Sequence, residues 1–227
     1  MAFQPEDKSV EGICNQALVH LGARGAFLDD LSADGTEEAE IFNAIYEHTL
    51  EGCLAAFPWP FATLRQTLAQ LANEPKRDGW SYVFGLPANC VLTRKIWPLG
   101  SSPTLADLYG QPISSATMRK PRADQRIPFT IEKSSLDDGQ VLLCDLAQPV
   151  LFYTAMVADP TKYPALFTDA LGWLLASEAA LAITGKLTTV QWCDKNALAA
   201  IHAAQVAALN AQQDDTEPTT ETIAARE

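Results

Sequence analysis

The sequence predicts an α+β protein, mainly α. A helical bundle made by the N- and C-terminal helices carries a small β-rich insertion, and a flexible tail closes the chain. Three observations lead there. Apolar residues recur at helical spacing near both ends, the middle loses that period, and the last fourteen residues are polar without a stripe. The predicted segments are 1–72 for the N-terminal helices, 73–159 for the β-rich insertion with a long loop, 160–213 for the C-terminal helices and 214–227 for the acidic tail.

The first helix follows from Val10, Ile13, Cys14, Ala17, Leu18 and Leu21, which fall on one helical face. Ser9 suits its N-cap and Gly22 its end. After an acidic, turn-like stretch from Asp29 to Gly35, Thr36 reads as a second N-cap. Glu37 and Glu38 follow it, where the helix dipole favours negative charge. Phe42, Tyr46, Thr49, Leu50, Cys53 and Phe57 give the second stripe. Pro58-Trp59-Pro60 must stop it, because a proline lacks an amide hydrogen and biases its predecessor away from helix. Phe61, Leu64, Leu68 and Leu71 predict a third helix beyond this elbow.

From Asn73 to about Asp159 the chain turns to Pro, Gly, Ser and short β-prone runs. Strands are predicted at 80–84, 91–97, 129–132, 140–143 and 150–154, with Asp137-Asp138-Gly139 as a hairpin signal. Pro98 to Pro128 holds five prolines and reads as a long loop. Helices return after Asp159-Pro160. Phe167, Ala170, Leu171, Leu174, Leu181 and Ala182 share a face that Gly185 ends. Thr188 or Thr189 is expected to cap a last, Ala-rich helix with Val190, Cys193, Ala197, Ile201, Ala204 and Ala208 inward. The apolar run from Ala170 to Thr184 contains Glu178 and reads as too short and too polar to span a bilayer, so no membrane partner is expected.

Composition narrows the function classes. Hydrophobic residues make up 48 % of the 227, enough for a real core, so wholesale disorder is excluded. The net charge is −12, from 28 acidic and 16 basic residues. That sign repels phosphate backbones and argues against tight wrapping of nucleic acid, while leaving room for a channel through which DNA slides. Cys14, Cys53, Cys90, Cys144 and Cys193 are scattered and odd in number, which fits neither a disulfide framework nor a zinc spacing. They read as buried, reduced thiols of a protein folded in a cytosol. The first twelve residues lack the basic and apolar regions of a secretory signal.

Catalytic patterns are sparse. There is no Gly-rich phosphate loop and no GxSxG elbow. His20, His48 and His202 sit on separate predicted helices without an i+4 histidine, so no metal and no cofactor is expected. Asp29, Asp30, Asp34, Glu37, Glu38 and Glu40 cluster, yet a glycosidase needs one carboxyl desolvated, and nothing in the pattern buries one. Phe57, Trp59, Phe61, Trp80, Tyr82 and Phe84 read as local core. Arg119, Lys120, Arg122 and Arg126 form a basic cluster in the long loop. It could meet DNA phosphates, pair with acids of a neighbouring subunit or tail component, or remain a solvated loop.

Several words resemble the head-to-tail adaptors of short-tailed bacteriophages, also called tail tubular protein A or head completion proteins. Ile13-Cys14-Asn15-Gln16-Ala17-Leu18-Val19-His20-Leu21-Gly22 resembles their opening helix, I-x-N-x-A-L-x-x-L-G. Glu37 to Glu51 looks like their second helix. Phe57-Pro58-Trp59-Pro60-Phe61-Ala62 with Arg65 resembles their P-W-x-F-A-x-x-R elbow. Trp80-Ser81-Tyr82-Val83-Phe84 with Leu86-Pro87 and Cys90 resembles W-x-Y-x-Y-x-L-P-x-D-C, with Phe84 where Tyr is common and Asn89 where Asp is common. Phe167 to Thr184 looks like a further helix of the family.

The resemblance implies a virion protein of the neck and tail, assembled in the host cytoplasm; no matched motif supports a catalytic activity, so no enzyme is expected. It implies a homo-oligomeric ring, a dodecamer, docked under the portal and offering its far face to the tail nozzle. Genomic DNA would pass through without sequence-specific binding. The tail after Asp214 is the expected portal-binding segment, with Asp214, Asp215, Ile223 and Arg226 as contacts. Two rival expectations are a tail-associated cell-wall glycan hydrolase and a non-viral helical binding module.

Overall fold

A computed structural model describes residues 8–23, 27–75, 77–99, 127–136 and 138–211. Among the described residues, four helices and two small sheets make an α+β fold, mainly α: α1 (Val10–Leu21), α2 (Glu37–Ala56), α3 (Ala165–Thr184) and α4 (Leu187–Asn210), with β1 (Thr63–Thr67), β2 (Tyr82–Gly85), β3 (Cys90–Pro98), β4 (Thr130–Lys133), β5 (Gln140–Cys144) and β6 (Pro149–Ala155) between α2 and α3. The chain divides into a helical unit (residues 1–53, 59–61 and 158–227) and a β-rich unit (54–58 and 62–157).

In the helical unit, α1 packs against α3 and α3 against α4. Ser9 caps α1 by accepting the Gly12 N–H, and Gly22 ends it with a left-handed φ of 72° that a side chain would strain. Thr36 caps α2 by accepting the Ala39 N–H at 3.2 Å. Phe42, Leu50 and Cys53 are buried along α2, and Thr49 donates to Glu178 of α3 at 2.6 Å. α3 approaches α1 closely at Gly172, where a Cβ would lie 3.3 Å from the Gln16 side chain. Trp59, Phe61, Tyr163 and Phe167 form an aromatic cluster with centroids 4.8–6.3 Å apart, edge-on or tilted. The Trp59 indole N–H donates to the Cys53 carbonyl at 2.8 Å, so the fully buried ring leaves no orphaned donor.

Asn15 gives a physical reason for the asparagine in the opening helix. Its Nδ2 donates to the Leu28 carbonyl at 2.9 Å, and the Leu28 N–H donates to its Oδ1 at 2.7 Å. One buried amide thus satisfies both backbone groups of a residue that has left regular structure.

In the β-rich unit, two antiparallel three-stranded sheets, β1-β6-β3 and β2-β5-β4, share a core. Ile96, Leu151, Tyr153 and Ala155 of the first meet Phe84, Leu142 and Cys144 of the second. β3 slips register twice, around Val91 and around Arg94. Such an irregularity re-aims a side chain. Arg94 donates Nε to Thr154 Oγ1 at 2.9 Å and Nη2 to the Ala55 carbonyl at 2.8 Å, placing a cation on carbonyls that the helix end leaves unpaired.

Four expectations need correction. The third helix predicted from Phe61 to Leu71 is a 3-10 turn (Pro60–Ala62) followed by β1, whose whole length pairs with β6. Neither Thr188 nor Thr189 caps the last helix, which begins at Leu187 without a side-chain cap. On α3 the buried face runs through Phe167, Ala170, Leu171, Leu175, Ala176, Ala179 and Ala180, while Leu181 is 58 % exposed. α3 is also not too short. Its 20 residues are long and apolar enough to cross a membrane by length and composition, but this face packs inside the helical unit and Glu178 is bonded to Thr49.

Candidate interaction surfaces

All five cysteines are free, and burial raises every one of them; Cys14 and Cys53 are pushed up to about 12. A thiol so held stays protonated and is a poor nucleophile. No group of three or more His, Cys, Asp or Glu able to hold a metal ion occurs among the described residues.

The acidic cluster is turn chemistry. Asp30 accepts from the Ser32 hydroxyl and N–H, which holds its carboxyl below the usual range, and Asp34 accepts the N–H groups of Asp29 and Asp30. Glu37, Glu38 and Glu40 occupy the first turn of α2, with Glu37 and Glu40 exposed. His48 and His202 are exposed. The six aromatics read as one local core are divided: Trp59 and Phe61 join the helical cluster, whereas Phe84, with Tyr82 against it, belongs to the core between the sheets.

His20 has a more particular setting. Its ring stacks on Trp173 at 3.6 Å and 10°, and Trp173 meets Trp192 edge-on at 5.0 Å. Nε2 has no hydrogen-bond partner and lies 3.9 Å from Asp169, which already accepts from Gln16 at 2.9 Å. Burial lowers the His20 pKa, and the Asp169 charge opposes that shift. Val19, His20, Thr188, Thr189 and Trp192 line an open depression of about 320 Å³. Its polar groups include the His20 ring and the Thr188 and Thr189 hydroxyls.

α4 carries the largest apolar exposure of the helical unit. Cys193, Ala197 and Ala204 face inward as the spacing predicts. Outward stand Leu198 at 71 %, Leu187 at 64 % and Leu209 at 55 %, while Trp192 at 51 % and Val206 at 43 % occupy another side. These side chains are apolar points on a helix face that is otherwise polar. The inward stripe is the stronger helical period of this segment, and Leu187, Leu198 and Leu209 repeat beside it at a constant interval of eleven residues.

The β-rich unit has a second exposed feature. On the face of β1-β6-β3 away from the core, Phe152 lies beneath two cations, with the Arg65 guanidinium 4.6 Å and the Lys95 ammonium 4.9 Å from its centroid. Lys95 also lies 5.4 Å from the Trp97 ring. Arg65 belongs to the elbow word, but its partner is readable only from strand register, in which Arg65 and Lys95 both face Phe152.

The expected basic loop contacts Arg119, Lys120, Arg122 and Arg126, and the expected portal contacts Asp214, Asp215, Ile223 and Arg226, lie outside the described residues. Set beside known families and curated proteins, the chain matches no family model and no curated sequence.

Proposed function

We propose that the chain is a structural virion protein, a ring-forming adaptor that connects the portal to the tail nozzle of a short-tailed phage and continues its DNA channel. The observation that carries this reading is apolar exposure on different sides of one helical unit. Leu187, Leu198 and Leu209 stand along one side of it, about 16 Å from one to the next; Trp192 and Val19, which line the depression, stand on another. A closed ring needs two unlike patches on each subunit, each meeting the other on its neighbour. The ordered words from Ile13 to Cys90 and in Phe167 to Thr184 supply the family. The net charge of −12 suits a passage along which DNA moves without being held.

In this reading the protein has no catalytic role and no cofactor. It is assembled in the host cytoplasm and resides in the neck of the virion. Its partners are copies of itself, the portal, the nozzle protein and passing DNA. Sedimentation with portal rings from the same genome tests it. The chain is expected to co-sediment, and removal of residues 214–227 is expected to weaken that. A chain left in the supernatant at every portal concentration would end the proposal.

A further inference from the structure

The exposed face of α4 reads nearly the same in both directions from Leu198. Leu187 lies eleven residues before it and Leu209 eleven after; Gln191 lies seven before and Gln205 seven after; Asp194 lies four before and His202 four after. Eleven residues make three turns plus about 20°, and four or seven residues also return close to the same side, so all seven positions share one face. Leu187, Gln191, Asp194, Leu198, His202 and Leu209 are exposed, and Gln205 is half-buried. The face extends onto α3: the Ser177 hydroxyl bonds to Asp194, and Leu181 lies one turn beyond Ser177.

A helix with this pattern is complementary to itself. Laid antiparallel about a two-fold axis at Leu198, it sets Leu187 against Leu209 of the second copy, Leu198 against Leu198 and Leu209 against Leu187. Gln191 meets Gln205, and Asp194 meets His202, an acid against a group that can carry positive charge. The leucines span about 33 Å along the helix. Their eleven-residue interval corresponds to a slight right-handed winding of the pair.

We infer that the free protein pairs with a second copy of itself through antiparallel α4 helices centred on Leu198. This contact is isologous, unlike the head-to-tail contact of a ring, and it does not need the adaptor reading. In that reading, docking on the portal must separate the pair, because both arrangements use the Leu187–Leu209 face.

Sedimentation of the full chain without portal tests the pairing. The unsubstituted protein is expected at twice the chain mass at tens of micromolar, and Leu198→Glu at half that value with an unchanged far-ultraviolet spectrum. Leu198→Cys is expected to form a disulfide-linked dimer under mild oxidation, since a residue meets its own copy only near a two-fold axis and the bond demands close approach. Leu166→Cys, exposed on α3, and the unsubstituted chain serve as controls and are expected to remain unlinked. Should Leu198→Glu lose its helical spectrum, Asp194→Lys is expected to weaken the pair and Asp194→Lys with His202→Asp to restore it. A single-chain mass for the unsubstituted protein, a pair that survives a folded Leu198→Glu, or cross-linking of Leu198→Cys no faster than of Leu166→Cys would overturn the inference. A protein that pairs this way yet ignores the portal would sink the adaptor reading alone.

Discussion

Replacing Asn15 by alanine removes the amide that satisfies Leu28. The Leu28 N–H and C=O lose partners at 2.7 and 2.9 Å, and both residues are almost fully buried, so water does not replace them freely. Each orphaned group costs about 1–3 kcal/mol, so the pair should cost about 2–6 kcal/mol before any cavity is counted. That is a large part of the stability of about 5–15 kcal/mol usual for a domain. Gln16→Ala is the natural comparison. It removes one bond to Asp169, a residue whose side chain is 44 % exposed, and should cost about 0.5–1.5 kcal/mol. Native-state hydrogen exchange suits a chain of two units, because it reads α1 and α3 separately from the sheets. Asn15→Ala should accelerate exchange across α1 and at Leu28 while leaving β5 and β6 as they were. A loss no greater than that of Gln16→Ala would refute the claim that Asn15 is in the opening helix to clamp Leu28.

Two further outcomes rest on described side chains and a third on the basic cluster of the sequence. His20 has a pKa below its ordinary value of 6.5 when folded, so as pH falls through that value the unfolded chain takes up its proton first; the helical unit should lose stability on acidification, and His20→Phe, which keeps a stacking ring, should flatten that dependence in urea titrations at several pH values. Arg94→Met should cost about 2 kcal/mol through the lost bonds to Thr154 and to the end of α2, seen as faster exchange at the last turn of α2. Charge reversal at Arg119, Lys120, Arg122 and Arg126 should impair ring assembly at moderate salt, measured by sedimentation with portal; normal assembly would leave the loop as solvated charge.

Local signals made much of this fold legible. Ser9, Gly22, Thr36 and Gly185 mark helix ends by backbone chemistry that needs no distant partner, and all four do so here. Five strands were legible from β-prone runs. β1 was not, because Leu64 and Leu68 are spaced as on a helix, and only pairing with β6 decides the matter. The surfaces were harder still. The inward stripe of α4 follows from its period, but the use of Leu187, Leu198 and Leu209 depends on what α3 leaves uncovered. Arg94 and Phe152 acquire their partners through a register that single-strand patterns do not encode.

Imaging the chain mixed with an excess of portal rings tests the central claim most directly. The adaptor account predicts a closed ring of copies seated beneath each portal around a continuous channel. Portals that remain bare beside solitary or merely paired copies would contradict it.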